Sequence, residues 1–443
     1  MNRMKKLAVS VMLGAVCFAS SAQTVSSTHS GTNSPYSQFG IGALSEQAGG
    51  VGRGMNGLGV AYRDHIQVNH LNPASYSAVD SLTFIFDVGL SGQLSNFEEG
   101  NKRVNAKSAS FDYAVASFRM ARHLGMGFGV IPISNIGYNY SLTNRIGTNS
   151  TASYTSLYKG SGGLHEAFLG LGWEPFKGFS FGVNGGYLWG GYDRSVVNSY
   201  TEASTSLSKY YSADVRSYKL DFGVQLTLPL TKKDKVTLGA TYGLGHQIGG
   251  NPTCLIVSTN STTSVADTTS YPRTGKLQLE IPTTIGAGLM WNHRNKWKVG
   301  ADYVLQKWGS VKMPEYISEN GQTDYRLTEN HFSDLQKLTL GAEYCPDENS
   351  TRRYVNRIRY RFGVSYASPY LKINGQDGPK EYSASVGLGI PIVNVWNKYN
   401  RSIVNVSFQW VRQESKTFIT ENMFRINIGI TFNERWFEKW KVE

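Results

Sequence analysis

The chain has 443 residues, among them 48 glycines, 26 tyrosines, 20 phenylalanines and 9 tryptophans, and only 17% of it is charged. Beyond its first two dozen positions it lacks the ~18 to 20 consecutive apolar residues of a spanning helix, so if the mature chain lies in a membrane it lies there as a barrel. Its formal charge is +12, but the basic residues are dispersed, and solvated turns and anionic lipid head groups account for the excess better than nucleic acid does.

Arg3, Lys5 and Lys6 precede an apolar run from Leu7 to Phe18 that ends in Ser20-Ser21-Ala22. This is the pattern of a secretory signal peptide, residues 1–22, cleaved after Ala22. Val16 is too bulky for lipoprotein processing at Cys17. Removing the three leader cations leaves a net charge of +9, and only Cys254 and Cys345 remain as thiols. Their spacing matches neither a disulfide framework nor a metal site, and no metal or other cofactor is expected.

Residues 23–79 are rich in Gly, Ser and Asn and lack sustained alternation, yet they carry Tyr36, Phe39, Ile41, Met55, Leu58, Val60, Tyr62, Ile66 and Leu71. That is more apolar surface than a disordered tail keeps. His65 and His70 read as hydrogen-bonded fillers of a polar interior rather than as a metal pair.

From Leu82 to Phe432 the pattern alternates with period two. Phe424, Ile426, Ile428, Ile430 and Phe432 are set against Arg425, Asn427, Gly429 and Thr431, and Tyr218 to Leu228 repeat the arrangement. One face is lipid-like and the other polar. Several runs hold for ten residues or more, longer than the ~5 to 6 of soluble strands. Runs begin near Leu82, Lys107, Leu124, Gly162, Phe179, Ser208, Lys235, Gly275, Lys296, His331, Val355, Lys380, Arg401 and Glu421. The expected fold is therefore all-β, a transmembrane outer-membrane barrel of about 14 antiparallel strands spanning residues 80–433, with a periplasmic tail at 434–443. A barrel of that size has a lumen too wide for its own side chains to fill, so residues 23–79 are expected inside it as a hatch or plug.

Alternate connections are short, as at Ala121-Arg122-His123, whereas Thr143 to Ser161, Gly249 to Thr274 and Gly309 to Asn330 are long. The Ser/Thr-rich 249–274 stretch reads as a mobile extracellular loop. Cys254 and Cys345 then lie about 25 Å of membrane apart, too far for a disulfide.

The segment "GRGMNGLGVAYRDHIQVNHLNPASYS", Gly52 to Ser77, resembles the hatch of the FadL family of outer-membrane long-chain fatty acid channels, in which a Gly/Ala-rich stretch ends in Asn-Pro-Ala before strand one. Asn72, Pro73 and Ala74 match that tripeptide. "GMGFGVIPISNIGYNY", Gly125 to Tyr140, resembles the family's third strand, and "LEIPTTIGAGLMW" and "SASVGLGIPI" resemble later ones. "NSPYSQFGIG" and the ending "ITFNERWFEKWKVE" are similar to the branch found in the Bacteroidota, although eleven residues follow Phe432 where most such barrels end on an aromatic.

The resemblance implies a passive outer-membrane channel of a Gram-negative cell for hydrophobic compounds such as long-chain fatty acids. Asn72, Pro73 and Ala74 would serve the hatch, and Pro132, Ser134 and Asn135 a strand kink that opens a lateral path to the bilayer. Proline fixes φ and biases Asn72 toward an extended backbone, and Pro132 belongs at a bulge or a break in the ladder. Outer-membrane lipid and a hydrophobic small molecule are the implied partners. The same branch includes barrels that serve protein secretion or outer-membrane assembly without transporting anything, and Tyr154, Leu157, Tyr158, Tyr316 and Ile317 are candidates to face such a partner. No G-x-S-x-G, H-E-x-x-H or phosphate-binding loop is present, so an enzyme is not expected.

Overall fold

The computed structural model describes residues 31–145, 153–200, 205–260, 266–272, 275–319, 322–348, 350, 352–393, 401–415 and 418–435. The signal peptide and most of the expected C-terminal tail lie outside these residues. Fourteen antiparallel strands form a closed barrel. In chain order they are β1 (Thr83–Glu99), β2 (Lys102–Ala121), β3 (Leu124–Arg145), β4 (Ser153–Phe176), β5 (Phe179–Tyr200), β6 (Thr205–Pro229), β7 (Asp234–Gly243), β8 (Thr284–His293), β9 (Trp297–Gln306), β10 (Leu335–Tyr344), β11 (Arg359–Ala367), β12 (Lys380–Val393), β13 (Arg401–Glu414) and β14 (Thr420–Arg435). Pairing of Thr83 with Arg435 through Glu98 with Thr420 closes the ring.

The period-two pattern sets the two faces. Phe408, Trp410, Phe424, Ile426, Ile428 and Phe432 are exposed on the outer wall, while Gln409, Asn405, Asn427, Thr431 and Asn433 are buried toward the lumen. This is the alternation by which a barrel offers an apolar band to lipid and a polar face to its interior.

Strands β7 to β11 hold nine or ten residues each, whereas β3 to β6 hold between 22 and 25. One side of the barrel therefore rises far beyond a bilayer span at the end bearing the long loops. The stretch read as a mobile loop is partly strand: Thr253–Asn260 pairs with the upper half of β6, and Ala266–Tyr271 pairs with Thr253–Asn260. Met313–Glu319 pairs with Gln322–Thr328, in a stretch also read as loop. The run expected from Gly275 enters the barrel only at Thr284, because Gln278–Ile281 pairs instead with His246–Gly250. Pro282 separates the two ladders and lacks the N–H that would continue one.

Both cysteines are free. Cys254 packs with Tyr271 and Tyr325 in the outer ribbon, whereas Cys345 lies beside the carbonyls of Asn356 and Arg357 at the opposite end.

Candidate functional site

Residues 31 to 80 run among the lumen-facing side chains of the barrel and include one short helix, α1 (Gly50–Gly54), and the 3-10 turns Pro35–Gln38 and Pro73–Ala78. The segment carries little regular secondary structure, and its polar groups are satisfied partly by its own turns and partly by the wall. Asn72 is fully buried. Its Nδ2 donates to the carbonyls of Val60 at 2.8 Å, Val224 at 3.2 Å and Ala240 at 3.4 Å, and its Oδ1 caps the turn by accepting from Ala74 N at 3.1 Å. The backbone at Asn72 is extended, with φ −131° and ψ 106°, the conformation a following proline favours. Arg63 ties the same corner to β4, donating to the Ala74 carbonyl at 3.1 Å and pairing with Glu174 at 2.7 Å.

Glycines of the wall let this backbone approach. A Cβ on Gly223 would lie 2.1 Å from Asn72 Oδ1, and one on Gly182 would lie 2.4 Å from the carbonyl carbon of Pro73. The same close approach recurs at Gly239 against Val60 and at Gly363 against Met55. Only a residue without a side chain fits beneath a passing chain at such positions.

Charges complete the attachment. Asp64 pairs with Lys298 of β9 at 2.6 Å and Arg359 of β11 at 3.0 Å, and Glu343 of β10 joins the cluster through Lys298 at 3.1 Å and Arg361 at 2.7 Å. Burial alone would raise the Asp64 carboxyl, but Lys298 and Arg359 hold it well below the usual carboxylate range. Glu46 bonds Lys337 at 3.2 Å; burial opposes its ionisation, and Lys337 with Arg53 draws its pKa down to about 2. Arg53 faces Asp112 of β2 at 3.3 Å, and Asp302 of β9 accepts the N–H groups of Gly59 and Val60 at 2.7 and 2.8 Å. His70 contacts the Gln47 carbonyl at 2.6 Å and stacks on Phe168, while His65 lies beside Asp64 and Asp80.

At the long-loop end a cluster of the chain's own apolar side chains packs within the lumen. Tyr36 and Ile41 pack there with Tyr138 and Leu188 of the wall and with Trp308, Phe332 and Leu371 from the outer connections. Nothing in the local sequence signalled this cluster, because its members come from every third of the chain.

Pro132, Ser134 and Asn135 lie where the wall is interrupted. The β2–β3 ladder ends with Ala114 opposite Val130, while β3 continues to pair with β4 through a bulge between Pro132 and Ser134. The N-terminal segment takes up the freed edge: Ala43 and Leu44 pair with Asn135 and Ser134, Ser134 Oγ donates to the Ile41 carbonyl at 2.7 Å, and Gln47 donates to the Pro132 carbonyl at 2.9 Å. The Asn-Pro-Ala corner sits against β4 to β6 near their short-turn ends, so the two sets of sequence-selected residues occupy separate places. Of the loop candidates only Leu157 is exposed; Tyr158 stacks on Tyr140 at 5.0 Å, and Tyr316 packs against the Cys254 cluster.

The closed fourteen-stranded antiparallel barrel matches those of FadL-like outer-membrane neighbours. Solved structures share it: the Pseudomonas putida toluene transporter TodX (TM-score 0.59, 15% identity, 89% of this chain and 100% of that one), the CymD monoaromatic hydrocarbon channel (0.55, 17%, 90% and 100%) and a Pseudomonas aeruginosa FadL homologue (0.55, 12%, 89% and 99%). At these identities the likeness is one of fold. The chain belongs to the BamG family, whose model matches residues 4–443. No curated protein matches it.

Proposed function

We propose that this protein is a sealed outer-membrane barrel that serves as a non-transporting structural subunit of an outer-membrane protein assembly complex. The observation that carries this reading is the attachment of the N-terminal segment, in which Glu46, Arg53, Arg63 and Asp64 each meet an opposite charge on a different part of the wall. Arg53–Asp112 and Asp64–Lys298 are the more deeply buried of these pairs, and separating buried charges that have no other partner is unfavourable, so displacing the segment is a poor way to open a passive path. The apolar cluster at the outer end of the lumen supports the same conclusion, and so does the name of the family matched over residues 4–443. In this reading residues 1–22 are the signal peptide, 23–79 the plug, 80–433 the barrel and 434–443 a periplasmic tail, in the outer membrane of a Gram-negative cell.

A second reading, passive uptake of hydrophobic compounds, is favoured by the interruption of the wall beside Pro132 and by the fold shared with hydrocarbon channels. Asn72, Pro73 and Ala74 would then anchor a displaceable hatch, and Pro132, Ser134 and Asn135 would border a lateral exit for a fatty acid-like molecule. Neither reading calls for a cofactor or a reaction.

Extraction of the tagged protein from its native outer membrane in mild detergent, with mass spectrometry of the proteins and lipids that accompany it, separates the two. Near-stoichiometric outer-membrane or periplasmic partners without a small molecule support the subunit; a lone barrel carrying a hydrophobic compound overturns it in favour of the channel.

A further inference from the structure

The interruption between β2 and β3 is a slot with two unfinished edges. Outward of the Ala114–Val130 pair, and among the described residues, β2 runs on to Lys102 with a ladder to β1 alone, and β3 runs on to Arg145 with a ladder to β4 on its other side. Unpaired edges of this kind are normally covered, because they present a row of free backbone donors and acceptors. The inner part is covered here. Ala43 and Leu44 extend the β3 edge, and Gly31 sits so that a Cβ on it would lie 2.5 Å from Ser110 Cβ on one side and 3.5 Å from Asn135 Nδ2 on the other. A single chain therefore spans the slot at that level. Further out, Asn33 reaches the Lys107 carbonyl and Gln38 reaches Tyr140, and beyond them no described strand pairs with Lys102–Ala106 or Ser141–Arg145 on the slot side.

The two faces of the slot differ. Strand alternation puts Val104 in line with lumen-facing Ser95 and Phe97, and Leu142 in line with buried Tyr138, yet Val104 is 63% and Leu142 46% exposed. Among the described residues nothing covers these apolar side chains of the inner face. On the outer face Arg103, Lys107 and Arg145 of the slot's two edge strands are exposed, as is Lys159 on the adjoining β4, with Glu98 beside Arg103 as an acidic neighbour.

We infer that an extended segment of a partner polypeptide enters this slot as an added strand, alternating apolar residues toward Val104 and Leu142 with acidic residues toward Lys107, Arg145 and Lys159. The inference rests on the subunit reading and names its docking site. Backbone pairing to a free edge supplies the binding and alternate side chains the selectivity, and the N-terminal segment already uses the same β3 edge in the same manner. The cationic rim accelerates encounter with an acidic strand and fixes its register.

The test places a photo-crosslinking amino acid at Val104 or Leu142 in the full-length protein in its native membrane, with Phe408 on the outer wall of β13 as the control. The expected result is a crosslink from the two slot positions to one polypeptide, with the attached peptide alternating apolar and acidic residues when sequenced by mass spectrometry. The paired substitution Lys107→Glu and Arg145→Glu should lower its yield about tenfold, while heat-modifiable gel mobility shows the barrel still folded. Crosslinks only to lipid, or only to this chain's own residues, overturn the inference. Partner proteins that co-purify but do not crosslink from the slot overturn the docking site and leave the subunit reading standing. Absence of any partner overturns both.

Discussion

Gly223 of β6 lies directly beneath Asn72, at a distance that would bring a Cβ within 2.1 Å of Asn72 Oδ1. The relationship joins a glycine in an otherwise regular strand to the amide that caps the Pro73–Ala78 turn, 151 positions earlier in the chain. Asn72→Ala removes the cap and three donated bonds together, and a cap alone is worth about 1 kcal/mol. Gly223→Val overfills the same place, at about 1–3 kcal/mol. Both variants should insert as barrels yet lose the N-terminal segment's resistance to added protease, read by N-terminal sequencing of the cleaved product.

Asp64→Asn should be the more damaging change. It leaves Lys298 and Arg359 facing one another with Glu343 as the remaining shared carboxylate, and breaking a buried pair costs about 3–5 kcal/mol. Thermal unfolding followed by loss of the compact gel form should shift downward for Asp64→Asn, and by much less for the exposed-charge variant Arg216→Gln.

The attachment should weaken in acid in two stages. Burial lowers the His70 imidazole from 6.5 to about 4, and Glu46 falls from 4.5 to about 2. For His70 the unfolded chain takes up the proton first, so its stabilisation is complete above pH 6.5 and disappears as pH falls toward 4. For Glu46 the stabilisation is complete above pH 4.5 and disappears toward pH 2. Protease release of the segment, measured from pH 7.5 to 3, should rise below pH 6.5, and His70→Gln should flatten the part between 6.5 and 4.

Burial pushes the Cys254 thiol up to about 11, and its side chain is fully covered in the tyrosine cluster of the outer ribbon. The thiolate is the reactive form. Iodoacetamide at pH 8 should therefore leave Cys254 unmodified in the native barrel and alkylate it after denaturation, as read by mass spectrometry of the tryptic peptide.

Ser134→Ala with Asn135→Ala removes the bonds to the Ile41 carbonyl and to Ser45 Oγ, at 2.7 and 2.9 Å. Each bond contributes about 1 kcal/mol, enough to loosen residues 41–47 from β3 without unfolding the wall. A maleimide probe on Ala43→Cys should react severalfold faster in this background.

Strand alternation was legible in the sequence wherever one face meets lipid and the other a packed interior. Starts at Leu124, Phe179, Lys380 and Arg401 coincide with the strands observed. The reading faltered where strands leave the bilayer. In the upper part of β4 and in the ribbon strand Thr253–Asn260 apolar residues fall on both faces, Leu157 next to Tyr158 and Leu255 next to Ile256, so no period-two alternation reveals them, and backbone pairing with β5 and β6 decides their structure. Pro132 marked the bulge from sequence because its missing N–H is a local property. That the β2–β3 ladder stops at Val130, and that residues 43 and 44 take up the edge, depends on where a distant segment lies.

The amino-acid order by itself determined the barrel, its strand number and the faces of its strands, because these follow from the two-residue repeat of the backbone and the opposing demands of lipid and lumen. The tertiary structure alone decided how residues 31–80 are held, which charges meet, and where the β2–β3 ladder stops. Those depend on contacts between residues hundreds of positions apart, such as Asp64 with Arg359, and no local pattern of side chains records which distant neighbour will satisfy a buried charge.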